Sequence, residues 1–158
     1  MKFSILRVLA LVFIASAFLA AGHCVFAQCS DATLHGQYAF TITGQILAPP
    51  PAAGPITGVS MTEFDGEGNF TQVDHVVHNG VLPQEEWRPG SGSYHVNPDC
   101  TGFMIITQMP TIPADATPQL RLEIVVGDDG KLIHTVVSGS PTVPVLVTAV
   151  TSTGTRLH

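Results

Sequence analysis

Apolar and polar residues alternate with a period of two over most of the chain between Gln37 and Arg156, and clusters of Gly, Pro, Asn and Asp interrupt the alternation. No stretch carries apolar residues at the 3.6-residue spacing of an amphipathic helix, so strand is expected to follow strand. The pattern predicts strands over 37–45, 58–64, 70–78, 91–97, 102–108, 119–126, 131–138 and 143–151. In the first, Tyr38, Phe40 and Ile42 share one face and Ala39, Thr41 and Thr43 the other. The sixth is the most regular, with Leu120, Leu122, Ile124 and Val126 set against Gln119, Arg121 and Glu123.

Turn chemistry joins these strands. Asp65-Gly66-Glu67-Gly68-Asn69 and Gly127-Asp128-Asp129-Gly130 supply residues that tolerate positive φ and predict tight hairpins. Ala48 to Pro55 contains four prolines and predicts a loop of polyproline character, a plain connector rather than a recognition ligand. Met109 to Pro118 is a second proline-bearing loop, and 80–90 is a third loop, carrying the single tryptophan, Trp87. Eight short antiparallel strands must hide two sheet edges. Closure into a meandering barrel does so, and a two-sheet sandwich is the alternative.

The first 27 residues differ in kind. Lys2 and Arg7 precede an apolar run of 14 residues from Val8 to Ala21, followed by Val25-Phe26-Ala27. Basic, apolar and small-residue regions in that order predict a cleaved export signal over 1–27, leaving one domain over 28–158. The run is shorter than the roughly 18 residues expected of a spanning helix, so no membrane insertion is expected after cleavage. Cleavage after Ala27 removes Cys24 and leaves Cys29 and Cys100, an even pair in a secreted or periplasmic compartment, and so predicts one disulfide.

Composition then narrows the partners. The chain has 158 residues, 45% hydrophobic and 11% charged, enough apolar material for one core and too little charge for a disordered chain. Loss of Lys2 and Arg7 takes the basic count from 6 to 4 against 12 acidic residues, a net of −8. Arg88, Arg121, Lys131 and Arg156 stand singly, which excludes nucleic acid as an expected partner. Asp65, Glu67 and Asn69 begin like a calcium loop but lack its glycine and closing glutamate, and neither cysteine lies in a C-x-x-C pair. His75 and His78, three apart on a strand, face opposite ways. No metal and no cofactor is expected. The sequon Asn69-Phe70-Thr71 matters only in a host that glycosylates asparagine.

The segments Cys29-Ser30-Asp31-Ala32-Thr33-Leu34-His35-Gly36-Gln37-Tyr38-Ala39-Phe40, Phe64-Asp65-Gly66-Glu67-Gly68-Asn69 and Gly92-Ser93-Tyr94-His95-Val96-Asn97-Pro98-Asp99-Cys100-Thr101-Gly102 resemble a group of uncharacterised secreted bacterial proteins. The group is associated with lipocalin-like or allene-oxide-cyclase-like barrels. The resemblance implies a barrel and an exported location, and agrees with pairing of the two cysteines. It implies no catalytic residue, since shared architecture is not shared chemistry.

The chain lacks a G-x-S-x-G elbow, an H-E-x-x-H pair, a phosphate loop and a dinucleotide fingerprint. Its candidate functional residues are ionisable groups among apolar neighbours. Glu63 alternates with Val59 and Met61, His75 with Val73 and Val77, and His134 with Leu132 and Val136. Should those faces line the barrel, Glu63, His75 and His134 meet Tyr38 in one lumen, where they orient a ligand or move a proton. A register shift of one residue turns each to solvent instead, as structural surface residues. Three functions follow. The leading one is binding of a small apolar or amphipathic molecule in the lumen. The others are a metal-free barrel isomerase or cyclase using Glu63 and the histidines, and an extracytoplasmic structural or adhesive module with a solid core.

Overall fold

The computed structural model describes residues 28–50, 52–108 and 119–158. The predicted signal segment 1–27 and the predicted loop Met109 to Pro118 lie outside the described residues. Eight strands occur in chain order: β1 (His35–Ala48), β2 (Gly54–Asp65), β3 (Asn69–His78), β4 (Arg88–Val96), β5 (Thr101–Gln108), β6 (Leu120–Gly127), β7 (Leu132–Gly139) and β8 (Val147–Arg156). Each pairs antiparallel with its neighbours in sequence, and β8 pairs with β1 to close the barrel. Closure leaves no open sheet edge, which decides between the barrel and the sandwich.

Several predicted boundaries move: β1 runs from His35 to Ala48, β4 starts at Arg88 rather than 91, and β8 ends at Arg156 rather than 151. The first hairpin extends so far that β2 begins at Gly54, within the proline-rich segment. The last strand starts at Val147 rather than 143, because Val143 to Leu146 forms a turn in which the Leu146 N–H donates to the Val143 carbonyl at 3.0 Å. Pro144, inside this turn, has no N–H to offer a ladder.

One end of the barrel is solid. Phe64 sits at its centre, edge-on to Tyr38 (centroids 5.2 Å apart) and to Tyr94 (5.0 Å), with Phe70 at 5.8 Å. Leu34, fully buried, plugs this end from below, carried by the short 3-10 turn Asp31–Thr33. The Tyr94 hydroxyl lies 2.9 Å from the carbonyl oxygens of both Asp31 and Leu34, and Asp31 Oδ1 accepts the Val96 N–H at 2.7 Å. The Cys29–Cys100 disulfide, spanning 71 positions with Cα atoms 5.0 Å apart, fastens the plug to the turn before β5. The Tyr38 hydroxyl donates to the Gly130 carbonyl and so ties β1 to the β6–β7 turn. Gly154 on β8 lies directly against the Phe40 ring, where a Cβ would collide with it.

The chain has two tyrosines, and both belong to this solid end. Burial pushes the Tyr94 hydroxyl up to about 12; burial also raises that of Tyr38, against the opposing pull of the Arg156 charge. The folded state therefore holds these protons more tightly than the unfolded chain, whose tyrosines ionise near pH 10. Stability from this source is intact below pH 10 and is lost as pH rises towards about 12. Absorbance at the tyrosinate band and circular dichroism, followed together, are expected to change in one transition within that window. Ionisation of both tyrosines near pH 10 with the strand signal retained would contradict it.

Candidate functional site

Above the aromatic layer the barrel is hollow. A cavity of about 410 Å³ fills the end towards which β1, β3, β5 and β7 run. Its floor and walls include Phe40, Met104, Ile106, Leu122, Val137 and Val150, while Ile46, His78 and Leu146 stand half-buried nearer the rim. Residues of alternate parity on the eight strands supply this lining, as the two-residue repeat of a strand requires.

The lining is not wholly apolar. Ser60 and Thr62 of β2 are buried on the inner face, and Thr135 of β7 and Ser152 of β8 share a hydroxyl contact of 2.7 Å. On β3, Gln72 and Asp74 point inward beside Arg88, the first residue of β4. Asp74 and Arg88 are direct register partners, and the guanidinium Nε and Nη2 both donate to Asp74 Oδ1, at 2.7 and 2.6 Å. Gln72 Nε2 reaches Asp74 Oδ2 at the longer distance of 3.4 Å. The two charged side chains are only 11% and 14% exposed.

None of the four residues expected in the lumen lines this cavity. Tyr38 is inside the barrel, but in the solid end, bonded to Gly130. Glu63 is exposed on the outer surface, in register with Gln37 and Thr71. His75 also faces outward, with Nδ1 2.6 Å from the Glu86 carbonyl oxygen and its ring against Trp87. His134 is exposed, 3.4 Å from Thr153 Oγ1. Of the apolar neighbours that suggested an inward face, Val59, Met61, Val73 and Val136 are exposed, and Val77 and Leu132 are half-buried.

The reason lies in which residues anchor each strand. Phe64 and Phe70 flank the β2–β3 turn and fill the barrel's solid end, and their parity fixes that of the rest. Counted back from Phe64, Thr62 and Ser60 are inside; counted on from Phe70, Gln72 and Asp74 are inside. The signal for Asp74 was thus present in the spacing from the bulky aromatic beside the turn. Arg88 carried no such signal, since it lies in the stretch predicted as a loop and enters the site only because β4 starts early.

His75 and His78 point to opposite sides of the sheet, and among the described residues no group of three or more His, Cys, Asp or Glu is placed to hold a metal ion. The inner face combines apolar side chains with hydroxyl groups and the Asp74–Arg88 pair. Comparison of the chain with protein-family models, with curated proteins and with solved structures finds no match.

Proposed function

We propose that this chain is an exported barrel protein that takes one apolar or amphipathic small molecule into the hollow half of its interior. The observation that carries this reading is the cavity of about 410 Å³, whose wall is built from aliphatic side chains and Phe40, with hydroxyl-bearing residues, Gln72, His78 and the Asp74–Arg88 pair among them. Its size falls within the roughly 300–1,000 Å³ of small-molecule sites, whose walls have the same composition. The isomerase reading needed Glu63, His75 and His134 to converge in the lumen, and all three face outward. An adhesive module predicted a packed interior.

Export is supported by the Cys29–Cys100 bridge, which suits an oxidising compartment, and by the order of basic, apolar and small residues over 1–27. No helix among the described residues is long and apolar enough to cross a membrane. The outer surface mixes Thr41, Thr43, Glu63 and Thr71 with exposed Val59, Met61, Val73 and Val136. The resemblance to secreted lipocalin-like or allene-oxide-cyclase-like barrels fits the same reading.

The neutral dye N-phenyl-1-naphthylamine, which fluoresces in apolar surroundings, provides the test. Residues 28–158 are expected to bind it saturably with one site per chain. Ile106→Trp, which projects an indole into the cavity, is expected to weaken binding about tenfold or more while the far-ultraviolet spectrum is kept. Equal binding by parent and variant, or no saturable uptake, would refute the proposal.

A further inference from the structure

The Asp74–Arg88 pair poses a question that stability does not answer. A buried ion pair loses its hydration, and apolar residues of similar volume in its place are often neutral or stabilising. Here the pair stands on the wall of a cavity, where apolar replacements would have joined Ile106, Leu122 and the other aliphatic residues of the lining. Its geometry is also incomplete as an ion pair. Both guanidinium contacts fall on Oδ1, and Oδ2 receives only the long bond from Gln72. A bidentate arginine–carboxylate pair would use both oxygens. Among the described residues no other protein hydrogen bond to the Arg88 guanidinium or to Asp74 Oδ2 is formed. An acceptor-rich oxygen and the remaining guanidinium N–H groups therefore stand side by side at one wall.

Charge decides what such a corner takes. Asp74 and Arg88 cancel, and among the described residues the only other titratable side chain along the cavity is that of His78, nearer the rim. A ligand carboxylate placed here meets a guanidinium whose charge is already matched and a carboxylate that repels it. A ligand ammonium meets the reverse. Either would be a net charge in a largely apolar space, which is strongly unfavourable without a partner. A neutral head that both donates and accepts meets no such penalty: it can donate to Asp74 Oδ2 and accept from Arg88.

Resting on the proposed lumen binding, we infer that the polar corner formed by Asp74 and Arg88 selects an uncharged amphiphile whose head both donates and accepts hydrogen bonds, such as a primary amide, over the carboxylate or ammonium of equal chain length. The tail then lies against Phe40, Met104, Ile106 and Leu122, which belong to the apolar part of the lining.

Competition against bound N-phenyl-1-naphthylamine at pH 7 tests this, with octanamide, octanoate and octylammonium as competitors. Octanamide is expected to displace the dye at a concentration about tenfold or more below that needed for either ion. Asp74→Asn leaves the Arg88 charge unmatched and is expected to move the preference towards octanoate. Should that variant not fold, Asp74→Leu combined with Arg88→Met is expected to erase the preference for the amide over both ions. Octanoate equal to or better than octanamide in the parent protein, with the dye bound, overturns the head-group inference alone. Failure of the parent to bind the dye overturns the lumen reading and this inference with it. An Asp74→Asn protein that folds and keeps the parent's order of affinities also overturns the inference.

Discussion

A chain in which Cys29 and Cys100 are both replaced by serine is expected to be less stable than its parent by roughly 4 kcal/mol, the chain-entropy value for a closed loop of this length. The bridge spans 71 positions and joins the N-terminal plug to the turn before β5. Its loss frees the unfolded chain. It also loosens the attachment of Leu34, which closes the solid end of the barrel and is held there by the Tyr94 hydroxyl and by Asp31. Urea denaturation of the two proteins, both as residues 28–158, measures the difference. A loss below about 1 kcal/mol, the scale of an ordinary surface substitution, would show that the bridge does not constrain the fold as described.

Phe64→Ala is expected to cost about 3–5 kcal/mol, and Glu63→Gln beside it no more than about 0.5 kcal/mol. Phe64 is 2% exposed and makes edge-on contacts with both Tyr38 and Tyr94, so truncation leaves a void that three strands and the plug surround. Glu63 points to water. Adjacent positions on a strand face opposite ways, so this pair reads the register of β2 directly. The same denaturation experiment serves, and comparable losses at the two positions would mean that the register is wrong.

That register is also where sequence and structure part. The strand-turn-strand rhythm, the two tight hairpins and the cysteine pair were legible because each rests on local chemistry: alternation, glycine at turns, parity of thiols. Inward faces were legible where the two faces of a strand differ strongly, as with Leu122, Ile124 and Val126 against Glu123. They were not legible on β2, β3 and β7, where both faces carry apolar residues and the inner one also carries Ser60, Thr62, Asp74 and Thr135. A hollow barrel blurs the usual contrast, because residues that line a cavity can be polar while Val59, Met61 and Val73 remain outside. Hydrophobicity summed along a face therefore pointed the wrong way, whereas the large aromatics beside the turns pointed the right way. The early start of β4 at Arg88 depends on pairing with Asp74, which only the tertiary register supplies.

Two methionines distinguish a ligand taken inside from one adsorbed outside: Met104 is 3% exposed and borders the cavity, whereas Met61 is 42% exposed beside Val59 and Val73. With methionine methyl groups labelled with carbon-13, titration of residues 28–158 with N-phenyl-1-naphthylamine is expected to shift the Met104 resonance saturably and leave that of Met61 in place. A shift confined to Met61, with Met104 unmoved at saturating dye, would contradict a ligand site within the barrel.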